Sequence, residues 1–265
     1  MHPTSAPHSA TPPNRESQPV RAAAAATRVD LARLVIAIDG PSGSGKSTVA
    51  RRVAQRLGLR YLDTGAMYRA VTWQALEESL DLAATEALES LAARVCLDVG
   101  TNPRRPTIAI GGVDVGRPIR SREVTNAVSA VSADAAVRAR LLAEQRAVIG
   151  DGGIVVEGRD IGTTVAPDAR VKVFLTASGD ARARRRHRQL ARDEPAADVD
   201  RTHDELVARD HHDSSRVASP LVKAPDAVEI DSTHLPVGEV VAVVLDRCRA
   251  AGVVVPRPHR RGPST

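Results

Sequence analysis

Aromatic side chains are scarce in this chain of 265 residues: Tyr61, Tyr68, Trp73 and Phe174 make up 2% of it. Proteins that hold single-stranded nucleic acid by stacking its bases need more aromatic platforms, so that class is excluded. With so few rings, the core has to be built from Ala, Val, Leu and Ile, within a hydrophobic content of 42%. Cysteine is equally rare. Cys96 and Cys248 make no disulfide framework, suit the reducing cytoplasm, and read as small apolar residues. No stretch approaches the ~18 apolar residues of a membrane-spanning helix. The alanine run at 22–26 follows a Pro/Ser/His-rich segment and lacks the leucine-type centre of a signal peptide. Lysine occurs only at 46, 172 and 223, so each lysine carries information.

Arginine, by contrast, is abundant. Lys and Arg total 37 against 32 Asp and Glu, for a net charge of +5 and a pI near 9.8. The excess is localised. Residues 1–30 net +1, residues 247–265 hold five arginines and no acid, and residues 31–246 hold 29 basic and 30 acidic side chains. A near-neutral body excludes a broad duplex-binding surface. Arg182–Arg188 read as helix residues spread around their axis, not as a nucleic-acid patch, and Arg257–Arg261 read as a solubilising tail. His211-His212 read as a solvated pair, since a metal site needs more placed ligands.

Residues 1–30, rich in Pro, Ser, Ala and Thr, and the Pro/Arg segment 252–265 are expected to be disordered tails. Between them, short branched apolar runs alternate with helical patterns. Strands are expected at 34–38, 59–62, 154–156, 171–175 and 227–230. Helices are expected at 46–57, 66–78, 135–149, 180–193, 200–213 and 237–250. That alternation predicts an α/β fold with a mostly parallel sheet. The block 96–120 breaks the pattern. Its three short apolar runs, with Gly111-Gly112 between the last two, predict an antiparallel insert.

Gly40-Pro41-Ser42-Gly43-Ser44-Gly45-Lys46-Ser47 matches GxxxxGK[ST] in full, directly after a predicted strand and directly before a predicted helix. That context is what gives the pattern its meaning. The glycines let backbone N–H groups turn inward around phosphate oxygens, and the helix N-terminus adds a favourable dipole. Lys46 has the reach to meet β- and γ-phosphates, and the Ser47 hydroxyl can ligate Mg²⁺. The reading is a nucleoside triphosphate site. No Asn-Lys-x-Asp guanine reader is present, which argues against a GTPase.

A phosphate-binding loop does not name the acceptor. Other polar clusters follow the strands: Asp63-Thr64-Gly65-Ala66-Met67-Tyr68-Arg69, Glu157-Gly158-Arg159-Asp160, and, after a very basic helix, the run Arg209–Arg216. In an open parallel sheet, residues just past strand C-termini line one crevice. Arg69, Arg159 and Arg216 are therefore candidates to converge opposite the loop, and several guanidinium forks suit a second phosphate. Asp39 reads as a carboxylate supporting the loop; an anionic phosphate acceptor needs no strong base. On the residues alone the acceptor stays open between a nucleoside monophosphate, another small molecule such as a sugar, and none. In the last case the protein would be a binding module switched by its nucleotide.

The ordered set of motifs resembles the bacterial cytidylate kinase family. It comprises Ile38–Thr48, Leu62–Arg69, Val124–Ser129, Glu157–Thr163, and Arg209–Arg216 leading into Ser219–Leu221, across about residues 33–250. The resemblance implies a P-loop fold with a parallel five-stranded core sheet flanked by helices. It also implies an inserted antiparallel β/α subdomain for the monophosphate (about 64–150) and a helical lid (about 180–216), together a domain of 31–251. The implied reaction is phosphorylation of CMP or dCMP by ATP with Mg²⁺, with UMP as the alternative acceptor. The implied enzyme is a cytoplasmic monomer with no membrane and no nucleic-acid partner.

Position by position, the resemblance gives Gly40–Thr48, Arg185 and Arg186 to ATP, with Arg182 in the same lid helix. Arg69, Arg159 and Arg216 go to the acceptor phosphate, and Tyr68, Arg209 and Asp213 to its ribose. Ser129, Arg138 and Asp160, with Thr64 nearby, go to the cytosine edge. Lys46, Arg159, Arg186 and Arg216 would act on the transferred group. Ser47 would serve Mg²⁺ directly and Glu157 through water. Two positions depart from many relatives: Glu157 stands where they have Asp, and Thr64 where they have Ser.

Overall fold

The computed structural model describes residues 29–190, 199–215 and 220–256. Five parallel strands form the central sheet: β1 (Val35–Asp39), β2 (Arg60–Asp63), β6 (Ile154–Gly158), β7 (Val171–Thr176) and β8 (Val228–Asp231), in the order β2-β6-β1-β7-β8. A second, antiparallel sheet of three strands, β3 (Leu97–Gly100), β4 (Thr107–Ile110) and β5 (Val113–Asp114), is the expected insert.

Alternation along each central strand divides the core in two, because successive side chains point to opposite faces. Ile36, Ile38, Tyr61, Val155, Val173 and Leu175 pack on one face beneath α1 (Lys46–Leu57) and α8 (Val237–Ala250). Ala37, Leu62, Ile154 and Val156 pack on the other with α2 (Thr64–Glu77) and the insert. Aliphatic side chains carry both layers; Tyr61 is the one fully buried aromatic ring among the described residues.

The helix boundaries follow local chemistry. Gly45 (φ 94°) precedes α1 and Gly58 (φ 69°) ends it, both in the left-handed region that glycine enters without a Cβ penalty. Asp63 caps α2 by accepting from the Ala66 N–H, Ser121 caps α4 (Arg122–Ala133) through Val124, and Asp134 caps α5 (Ala135–Ile149) through Val137.

Most elements lie within a residue or two of their expected bounds, but two helices were not foreseen from periodicity: α3 (Thr85–Arg94) and α4. The first is short and dominated by small residues. The second mixes β-branched Val and Thr with Ser and Asn, which blurs a helical pattern. Residues 161–165 after β6 form a π-helical turn, also not foreseen. The region expected to form a lid, about 180–216, contains α6 (Gly179–Leu190) and α7 (Val199–Ser215). Of the tails expected to be disordered, 1–30 and 252–265, residues 1–28 and 257–265 lie outside the described residues, whereas Val29 and Val253 pack on the core and the Val29 N–H donates to the Gly252 carbonyl at 3.3 Å.

Candidate active site

Strand order places the site. From β1 the chain runs through α1 to β2, two places away on one side, while β6 connects to β7 across β1. Connections therefore diverge at the C-terminal end of β1, where a crevice opens in sheets of this kind. The phosphate-binding loop begins at that point. Gly40 (φ 146°) cannot be replaced without strain, since a Cβ there would lie 2.1 Å from the Leu175 carbonyl oxygen on β7. The Lys46 ammonium folds back to donate to the Pro41 carbonyl at 2.8 Å.

Three groups of side chains stand around this loop. The first is acidic and buried. Glu157, at the end of β6, accepts a short hydrogen bond from the Tyr61 hydroxyl and is bonded by the Ser47 hydroxyl. Its backbone carbonyl accepts from Thr64 Oγ1 at 2.8 Å. Burial pushes its carboxyl up to about 7, reinforced by the charge of Asp63 beside it and opposed by Lys46. Asp39 is raised to about 6, again chiefly by burial. Both of its oxygens accept backbone N–H groups at 2.8 Å, from Ile161 and Gly162. Asp39 therefore holds the turn after β6 through its hydrogen bonds, while its charge also acts on Lys46 of the phosphate-binding loop.

The second group consists of arginines with their carboxylates. Arg159 donates to the Gly40 carbonyl at 2.7 Å and pairs with buried Asp213 of α7 at 3.1 Å, tying loop, strand end and lid helix together. Arg69 lies 3.5 Å from Asp63, and its Nε is buried without a hydrogen-bond partner. Arg182 of α6 donates to the Ser42 carbonyl at 3.2 Å and pairs closely with Asp210, whose other oxygen accepts the Ser42 N–H at 3.4 Å. Arg185 donates to the Ser44 carbonyl at 3.3 Å and to the Ser232 hydroxyl and carbonyl at 2.9 and 2.5 Å.

The third group lies across the crevice. Arg138 of α5 pairs with Asp160 at 2.6 Å, donates to the Ser132 carbonyl at 3.2 Å, and sits 5.6 Å from the Tyr68 ring centroid. Tyr68, Arg138 and Asp160 line a cavity of about 190 Å³ together with Gln145. Ser129 lines a different cavity of about 290 Å³, with Ser42, Thr125, Asn126 and Arg186. Arg186 donates to Thr125 Oγ1 at 3.0 Å, so the lid helix α6 touches α4.

The cytidylate kinase family model matches residues 36–250. The chain belongs to the cytidylate kinase family. A cytidylate kinase of Streptomyces avermitilis is 50% identical over 214 residues, covering 80% of this chain and 91% of that one. One from Streptomyces griseus is 49% identical, covering 83% and 95% respectively. One from Geobacillus kaustophilus is 49% identical, covering 81% and 96%.

Of the residues the family resemblance singled out, Ser47 and Thr64 bond to Glu157, Arg159 bonds to Gly40 and Asp213, Arg69 stands by Asp63, and Tyr68, Arg138 and Asp160 line one cavity. Ser129 is separated from Arg138 and Asp160 into the neighbouring cavity. Arg209 lies on α7 with its side chain outside the described set, and Arg216 lies outside the described residues. Four residues beside the site were given no role by the sequence reading: Asp210, which lies within the motif Arg209–Arg216, and Ser232, Tyr61 and Gln145. Ser232 directly follows β8, so the rule that pointed to strand ends elsewhere would have found it.

Proposed function

We propose that this protein transfers the γ-phosphate of ATP to CMP or dCMP, giving ADP and CDP or dCDP. The observation that carries the reading is the buried Asp160–Arg138 pair facing a small cavity beside Tyr68. Cytosine offers an exocyclic amino donor next to ring acceptors. A carboxylate and a guanidinium side by side complement that edge and oppose the N3–H of uracil.

In this reading ATP occupies Gly40–Thr48, with Lys46 leaving the Pro41 carbonyl to meet the phosphates and lid arginines of α6 closing over them. Arg69 and Arg159, with Arg216, hold the acceptor phosphate, and Tyr68, Arg209 and Asp213 surround its ribose. Ser129 and Thr64 belong to the acceptor side. The unpartnered Nε of Arg69 suits an incoming phosphate oxygen. An oxygen of the CMP phosphate attacks the γ-phosphorus in line as the bond to the β-phosphate oxygen breaks. Lys46, Arg159, Arg186 and Arg216 spread the charge that develops. Asp39 takes no proton in this scheme, because both its oxygens are engaged by backbone amides.

The oxygen donors of Ser47 and Glu157 fit Mg²⁺, Ser47 directly and Glu157 through water; the ion neutralises phosphate charge. The insert at about 64–150 serves the acceptor and the region 180–216 serves as lid. The enzyme works as a cytoplasmic monomer. No helix among the described residues is long and apolar enough to cross a membrane.

The test is ADP formation from ATP against CMP, dCMP, UMP and small sugars. CMP and dCMP are expected to stimulate it most, and Lys46→Ala to lower kcat on the order of 10²–10³-fold. A sugar as the preferred acceptor, or hydrolysis indifferent to all four, would overturn the assignment.

A further inference from the structure

Gln145 stands out among the buried polar groups. Only 1% of it is exposed, yet its Nε2 has no hydrogen-bond partner. Buried side-chain amides almost always find acceptors, because an amide N–H removed from water without one is costly. Gln145 is one of the residues that line the 190 Å³ cavity, together with Arg138 and Asp160.

Its position on α5 is specific. Arg138, Leu142 and Gln145 are spaced by four and three residues, so they share one helix face. That face lies against the π-helical turn at 161–165, whose Thr164 and Val165 close the cavity. Gln145 lies two helical turns beyond Arg138 on that face, and both residues line the same cavity. Arg138 itself is already engaged by Asp160 and the Ser132 carbonyl. The donor without an acceptor is therefore Gln145.

We infer that Gln145 is a base-binding residue, its amide donating a hydrogen bond to the O2 carbonyl of the pyrimidine ring. The inference rests on the reading of the site as a CMP site. Asp160 is the one carboxylate lining this cavity, so the exocyclic amino group faces it. Arg138, beside Asp160, then opposes N3. The acceptor that remains on the ring is O2, and Gln145 is the donor that remains in the cavity. Cytosine and uracil share O2, so Gln145 adds affinity for pyrimidines while Asp160 and Arg138 choose between them.

The experiment compares CMP with 2-thio-CMP, in which a weakly accepting sulfur replaces O2, for the wild type, Gln145→Met and Gln145→Glu. A neutral hydrogen bond is worth up to about tenfold. The wild type should therefore show a KM for CMP roughly three- to tenfold below that for 2-thio-CMP. Gln145→Met should raise the KM for CMP by a similar factor, leave the KM for ATP unchanged, and bind the two acceptors alike. Gln145→Glu, with an acceptor where a donor is needed, should raise the KM for CMP at least as far. The inference is overturned if the wild type does not distinguish the two acceptors, or if a folded Gln145→Met enzyme still does. Should the wild type fail to phosphorylate CMP at all, the CMP reading falls before the role of Gln145 is reached.

Discussion

At the scale of single residues, the site is governed by carboxylates placed in three different environments. Asp160 is ionically paired to Arg138 in a buried setting. In the proposed function, replacing it with alanine removes the acceptor for the cytosine amino group and frees Arg138. Hydrogen bonds to charged groups contribute about 1.5–3 kcal/mol, so the kcat/KM preference for CMP over UMP should fall roughly 10–100-fold. Acceptor kinetics on both nucleotides check this, and an equal loss for the two would contradict the assignment. Asp39 and Glu157 have folded-state values raised to about 6 and about 7, mainly by burial. A raised carboxyl means that the native state holds protons the unfolded chain has released. Their stabilising contribution is therefore complete below pH 4 and lost as pH rises through 6 to 7. Urea midpoints should decline between pH 5 and pH 8, and Glu157→Gln should flatten the decline. A midpoint that rises over this range would refute the placement of these groups.

At the scale of elements, caps and turns decide where the functional side chains point. Asp134 accepts the Val137 N–H at 2.9 Å and so fixes the start of α5, the helix that carries Arg138 and Gln145. Asp134→Ala should cost about 1 kcal/mol in chemical unfolding, and no loss would mean that the cap contributes nothing. The sequence pattern reached this level unevenly. The strand before the phosphate-binding loop, the loop and α1 were legible because glycine positions, apolar runs and helix period all agree there. Helix α4 was not, because Val124, Thr125, Val128 and Val131 suit a strand as well as a helix. Its helical state is fixed by the Ser121 cap and by packing on the insert core. The hydrogen-bond partners of Asp39 were not legible for a related reason. Sequence adjacency ties it to Gly40, but the parallel register brings β1 beside β6, and the amides that bind it follow β6.

At the scale of the molecule, the +5 charge belongs to the terminal segments, whereas arginines of the near-neutral body make defined contacts. Arg159 fastens the phosphate-binding loop to α7, and Arg182 and Arg185 fasten it to α6 and to the residue after β8. Arg122–Glu205 at 3.1 Å and Arg186–Thr125 link the insert to the lid. The phosphate-binding loop, α4, α6 and α7 thus meet through polar contacts that differ from the aliphatic layers on either face of the sheet. Contacts of that kind can exchange partners when phosphates arrive, whereas the packed layers cannot. The family resemblance supplied the acceptor, which neither composition nor the loop motif could name. The geometry adds which side chains meet: Asp160 with Arg138, Glu157 with Ser47 and Tyr61. The most direct measurement is phosphorus NMR of the reaction with ATP, Mg²⁺ and CMP. ADP and CDP should appear in equal amounts as CMP is consumed. Inorganic phosphate appearing with ADP while CMP remains intact would contradict phosphoryl transfer between nucleotides.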